Sequence, residues 1–96
     1  MLFLVDLTYK APMGAIQAVL EPHMAFVARC FDGGHFLASG RKDPRTGGII
    51  IAKADDEGAL RALLAEDPFL TEDLVTLSVQ AFHPSRVSPA LIAEFP

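Results

Sequence analysis

The sequence predicts an α+β domain with the element order βαββαβ, and three observations carry that prediction. Four short apolar runs are separated by turn-forming residues. Two of the intervals between them hold apolar residues at spacings of three and four, the period of a helix. The first and third short runs are apolar on both faces, the mark of strands in the middle of a sheet.

Residues 1–8 form the first predicted strand. Phe3, Val5 and Leu7 alternate with Leu2 and Leu4, so neither face is polar. The run is apolar enough to invite comparison with a signal peptide. Asp6 interrupts it, and it has neither a positive leader nor a small-residue cleavage site, so it reads as a strand. Pro12 suits the first turn of a helix, where a missing N–H costs nothing. The helix is predicted to run unbroken to about Cys30, because Ile16, Leu20, His23, Val27 and Cys30 fall within one face. Residues 32–34, Asp-Gly-Gly, stop it.

Residues 35–42 form the second strand, residues 43–47 a hairpin loop and residues 48–54 the third strand, with three consecutive isoleucines. Asp55 is placed to cap a second helix, with Asp56 and Glu57 in the favourable first turn. Leu60, Leu63 and Leu64 mark its inner face, and Pro68 ends it. Residues 74–82 alternate Val75, Leu77, Val79 and Ala81 against Thr76, Ser78 and Gln80, which predicts the fourth strand.

Two right-handed crossovers in one antiparallel four-stranded sheet give the ferredoxin-like arrangement, with the first and third strands central. Its two helices cover a single face. The other face would leave leucine, phenylalanine and isoleucine in water, and the simplest cover is a second copy related by a two-fold axis. A homodimer is therefore expected.

Composition narrows the function. The chain has 96 residues, 51% of them hydrophobic, and a net charge of −4. That is one domain over residues 1–96, with a core at 1–83 and a tail at 84–96. In the tail, Ser88-Pro89 can start a turn that presents Leu91, Ile92 and Phe95 as an apolar side. An acidic balance without a basic run argues against nucleic acid as a partner. No stretch is long and apolar enough to cross a membrane as a helix. The single cysteine, Cys30, has no partner for an internal disulfide, and a cytoplasmic setting is expected.

The residues suited to chemistry are few. His23 lies in the middle of the inner stripe of the first helix. Asp67 stands three residues after Leu64 and, if the second helix reaches it, points inward as well. Adjacent crossover helices would bring the two together. A carboxylate on one imidazole nitrogen sets the tautomer and leaves the other nitrogen as a general base. The same residues also suit a plainer role, a buried polar pair that ties helix to helix. Ser39 and Gly40 sit where the second strand ends. A serine there can bond a ligand and a glycine lets it approach, and both also suit a simple strand exit. Arg41, Lys42 and Arg45 cluster about the hairpin, either as a lure for an anion or as a solvated turn. Phe26 and Phe69 pack in the core or wall a pocket for a flat ligand. A Ser39–His23–Asp67 nucleophilic triad lacks the G-x-S-x-G elbow. Cys30 lies ~10 Å from His23 along the helix, too far to pair with it, and reads as core. His35 and His83 have no metal-ligand spacing, so no metal site is expected.

The order of several short pieces resembles the YCII-related (YciI-like) family. These are His23 with Phe26, then Phe36-Leu37-Ala38-Ser39-Gly40, then Pro44-Arg45-Thr46-Gly47-Gly48 leading into Ile49-Ile50-Ile51, and finally Glu66-Asp67-Pro68-Phe69. The resemblance runs from Met1 to about Phe82. It implies a ferredoxin-like fold, a dimer of the α/β-barrel type, and a histidine–aspartate active site at His23 and Asp67. Some relatives are linked to elimination or dechlorination on ring compounds. The reading that follows is a small enzyme without a cofactor, using His23 and Asp67 as an acid/base pair. Its substrate would be a small anionic molecule, cyclic or aromatic, bound by Ser39, Gly40, Arg41, Arg45, Phe26 and Phe69. Elimination, isomerisation and hydrolysis all suit one base. Two other readings stand beside it: a non-catalytic dimeric module that binds a small ligand or a partner, and a monooxygenase-like dimeric barrel.

Overall fold

The computed structural model describes residues 1–91. Its elements are β1 (Leu2–Tyr9), α1 (Met13–Ala18), α2 (Leu20–Asp32), β2 (Phe36–Arg41), β3 (Gly47–Lys53), α3 (Glu57–Leu64), α4 (Pro68–Thr71) and β4 (Val75–Phe82), followed by a 3₁₀ turn at Pro89–Leu91. The four strands lie in the order β2-β3-β1-β4, every pair antiparallel. The strands apolar on both faces are indeed the central two. The α+β, ferredoxin-like class expected from the residues is the observed one.

Strand register decides which side chains meet. Phe3 pairs with Ala52 and Ala81, Val5 with Ile50 and Val79, and Leu7 with Gly48 and Leu77. This face is covered by the helices, and Phe3, Val5, Leu7, Ile50 and Ala52 are buried with Ile16, Phe26, Val27, Cys30, Leu60 and Leu64. The opposite face carries Leu4, Ile49 and Ile51 beside Asp6, Thr8, Thr76, Ser78 and Gln80. Leu4 and Phe82 there are each 39% exposed. Within one chain the helices thus cover one face of the central strands, while on the other Leu2 is buried and Leu4 is left exposed.

Three local departures from the sequence reading have physical causes. The first predicted helix is two helices, broken at Val19 (φ −115°, ψ 11°). Pro22 explains the break. A proline in an unbroken helix would deny a hydrogen bond to the carbonyl of Ala18 and crowd it. Starting a new helix at Leu20 puts Pro22 in the first turn, where no donor is needed. The second departure is the cap of α3, which is Asp56 rather than Asp55: its carboxylate accepts from the Ala59 N–H at 2.7 Å. The third concerns Pro68, which begins α4 instead of ending α3. The chain leaves α3 at Ala65, and Asp67 caps the short new helix. The tail does form a turn after Ser88. Leu91 in it is exposed, and Ile92 and Phe95 lie outside the described residues.

Candidate functional site

The site begins with the three-residue segment Asp67-Pro68-Phe69. Proline at the first position of α4 fixes the entry of the helix. It also holds Asp67 in extended backbone (φ −66°, ψ 126°), so that its side chain can fold back over the helix start. Asp67 Oδ1 accepts from the Phe69 N–H at 2.9 Å and lies 2.8 Å from His23 Nδ1. Paired with an ionised carboxylate, which can only accept, Nδ1 would be the ring nitrogen that carries the proton and donates. The other oxygen, Oδ2, is buried without a hydrogen-bond partner among the described residues. Asp67 is 0% exposed, and among the described residues His23 is the one group that can carry positive charge within salt-bridge distance of it.

The same segment holds the imidazole a second way. The Phe69 ring stacks on His23 with centroids 3.8 Å apart and planes 8° from parallel, and Tyr9 meets the edge of Phe69 at 6.0 Å. His23 is therefore fixed by a charged hydrogen bond at one nitrogen and by an aromatic face along its plane. Its side chain keeps 12% exposure. With Nδ1 committed to Asp67, Nε2 is the ring nitrogen left for a ligand.

His23 lines a cavity of about 300 Å³ between the helix layer and one end of the sheet. Leu20, Met24 and Phe69 line it from the helices. Tyr9, Ser39, Arg41, Arg45 and the glycines Gly40, Gly47 and Gly48 line it from the sheet and its hairpin. The volume suits a molecule of one ring rather than several, being at the low end for small-ligand pockets. Part of the hollow comes from Gly48. It stands between Arg41 and Leu7 in the cross-strand row on the helix-facing side, and it contributes no side chain there. Gly47 is constrained differently: a Cβ on it would lie 1.8 Å from the Leu7 carbonyl oxygen, so the strands pack this closely only with glycine.

The expected residues divide on this geometry. His23, Ser39, Gly40, Arg41, Arg45 and Phe69 all border the cavity. Asp67 lies behind His23, out of the lining. Phe26 does not border it and is corrected to a core role. Its ring is buried, edge-on to Phe36 at 6.1 Å, because three residues beyond His23 the helix has turned toward the far end of the core. Lys42 also leaves the group. Its ammonium donates to Asp6 at 2.6 Å and to Thr8 at 2.9 Å on the open face of the sheet. Cys30 is buried, and that burial pushes its thiol above the ordinary value, which suits a packing residue rather than a nucleophile. His35 borders a different hollow with Lys53 and Asp55. Among the described residues no cluster of histidine, cysteine and carboxylate is arranged to hold a metal ion.

Tyr9 and Met24 line the cavity without being singled out by the sequence, and Leu20 was expected there only as part of the inner helix stripe. Tyr9 was legible, since it continues the inward alternation of Phe3, Val5 and Leu7. Met24 was not, because it lies beside the apolar stripe rather than within it.

Comparison with known proteins agrees with this architecture. The chain belongs to the YCII-related domain family, whose sequence model matches residues 1–81. Among solved structures it is similar to the 5-chloro-2-hydroxyhydroquinone dehydrochlorinase TftG of Burkholderia phenoliruptrix, in complex with 2,5-dihydroxybenzoquinone. The TM-score is 0.66 at 20% identity, over 85% of this chain and 93% of that one. It is also similar to SnoaB, a cofactor-independent oxygenase of Streptomyces nogalater, with a TM-score of 0.50 at 23% identity over 92% and 95% of the two chains. At these identities the likeness is one of fold. No curated protein sequence matches the chain at a significant level.

Proposed function

We propose that this YCII-related domain is a small acid–base enzyme in which His23 moves a proton and Asp67 orients it. The observation that carries the reading is the 2.8 Å contact between a fully buried carboxylate and an imidazole that still reaches a cavity. Asp67 fixes the Nδ1–H tautomer and balances the imidazolium that forms when Nε2 takes a proton. The substrate is a small anionic molecule with a ring. Nε2 removes a proton from it; the electron pair released forms a double bond as a leaving group departs, or shifts within the ring in an isomerisation, in which the imidazolium returns the proton at another carbon. Hydrolysis suits the same base, with water as the proton source. The chemistry needs one positioned base and no cofactor. The neighbouring dehydrochlorinase bound to a dihydroxybenzoquinone supports a ring-sized, oxygen-bearing substrate.

The working unit of this proposal is a homodimer in the cytoplasm, paired through the open sheet face into the α/β-barrel arrangement. Leu4 and Phe82, each 39% exposed, support it. Light scattering at micromolar concentration should give about twice the 10.3 kDa chain mass. A stable monomer would end this part of the reading.

The enzyme reading is tested by incubating the protein in D₂O with a panel of hydroxylated and halogenated ring compounds and following them by NMR. Conversion, or exchange of a ring-adjacent proton for deuterium, is expected with the natural sequence and not with His23→Gln. Ligands that bind the cavity but neither convert nor exchange would make it a binding module instead.

A further inference from the structure

We infer that Arg41 and Arg45 form a seat for a carboxylate, so that the molecule bound in the His23 cavity is a small ring carboxylate. This rests on the reading of the cavity as the substrate's site and adds what the substrate must carry.

The pairing of β2 with β3 shifts register between Phe36 and Ala38. Phe36 pairs with Ala52 on β3, but Ala38 pairs with Ile51, the very next residue back, so Leu37 is an extra residue in β2. A one-residue bulge reverses the face of every side chain beyond it. Phe36 is buried in the core. In an unbulged strand, Ala38, Gly40 and Lys42 would share its face, and Ser39 and Arg41 would point away. With the bulge, Ser39 pairs with Ile50 and Arg41 with Gly48 on the helix-facing side, beside the cavity. Lys42 is sent to the other face, where it is neutralised by Asp6. The bulge thus selects which cations reach the cavity.

Among the described residues, those that do have no ion-pair partner. The protein is acidic, with 12 carboxylate side chains against 8 lysines and arginines. Even so, no Asp or Glu among the described residues lines this cavity. The ion pairs among the described residues engage Lys10, Lys42, Arg61 and His23, and neither Arg41 nor Arg45. Two guanidinium groups line a hollow that holds no carboxylate among the described residues, and they lack the counter-charge that a bound anion would bring. Guanidinium binds planar oxyanions through paired N–H groups, which favours a carboxylate. The body of such a ligand would lie over the gap at Gly48, against Tyr9, Met24 and Phe69, with its reacting atom toward Nε2.

The test uses benzoate and its neutral isostere benzamide, titrated into the full chain at low salt and followed by NMR. Benzoate should bind at least about tenfold more tightly than benzamide, the worth of one charge-assisted hydrogen bond. It should shift the methyl signals of Met24 and Ile50 together with the backbone amides of Arg41 and Arg45. In the double variant Arg41→Met/Arg45→Met the preference should fall below about twofold, and Arg41→Lys/Arg45→Lys should keep part of it. Equal binding of the two probes, a preference that survives loss of both arginines, or shifts confined to the arginines without Met24 and Ile50 would each overturn the inference. The ¹⁵N shifts of the His23 ring in the same samples report the Nδ1–H tautomer. The acid–base reading therefore stands or falls on a separate signal.

Discussion

The two walls of the cavity are built on opposite terms. On the helix wall His23 is bonded, stacked and nearly closed off, and Asp67 behind it is fully buried. On the sheet wall Ser39, Arg41 and Arg45 are exposed, and neither arginine has a salt-bridge partner among the described residues. The first wall is organised before any ligand arrives, as a group that must move a proton in a set direction needs to be. The second is left with unmet charge, as a group that recognises a ligand can be. Stability and recognition are thus divided between helices and hairpin. Changes on the helix wall should cost folding free energy, while changes to the arginines should cost binding alone.

The sharpest break comes where the walls share a backbone. Gly47→Ala drives a Cβ into the Leu7 carbonyl, and two paired strands have no cheap way to part. A loss of about 3 kcal/mol or more is expected in urea unfolding. A loss under about 1 kcal/mol would mean that the hairpin is looser than the geometry describes. Next is Asp67→Asn. Oδ1 serves both the Phe69 N–H and His23 Nδ1, so an amide that turns its NH₂ toward His23 also gives up the cap. A cost of about 1–3 kcal/mol is expected. The ¹⁵N shifts of the ring should change from the Nδ1–H to the Nε2–H form. An unchanged tautomer would remove Asp67 from the orienting role.

Smaller effects sharpen the contrast. Phe69→Leu removes the stack beneath the imidazole and some core packing, and should destabilise by about 1–2 kcal/mol. Arg41→Met and Arg45→Met should each stay within about 0.5 kcal/mol of the natural protein. If the arginine variants unfold as easily as Phe69→Leu, the division of labour between the walls is wrong. The smallest effect concerns Asp6 on the open face. The hydrogen bond from Lys42 holds its carboxyl below the ordinary value of 3.8. A depressed carboxyl stabilises the fold above its unfolded pKa, and that contribution fades as pH falls through the lower folded value. Asp6→Asn should therefore flatten the acid end of a stability–pH curve slightly, below about pH 4, and less so in high salt. An acid limb identical in the two proteins would make the Lys42 contact energetically idle.

Much of this was open to reading along the chain. Alternation placed the faces of β1 and β4, and the three–four spacing turned His23 toward the sheet. Both are local periods that any sheet or helix must obey. Gly-Gly after Asp32 marked the end of α2 for the same kind of reason. Asp67 was harder. Its inward direction was argued from a helix that in fact stops at Leu64, and it arrives beside His23 as the cap of α4 instead. Proximity came out at 2.8 Å by a different local structure from the one that suggested it.

What the residues determine alone is therefore the order of elements, the central strands and the inward face of His23, because each depends only on neighbours within a turn or a pleat. The tertiary structure decided the rest. Leu37 becomes a bulge only because Phe36 must stay in the core while β2 keeps its pairing with β3. That single extra residue places Arg41 at the cavity and Lys42 on the far face. Strand register is set by long-range pairing, which no local pattern contains.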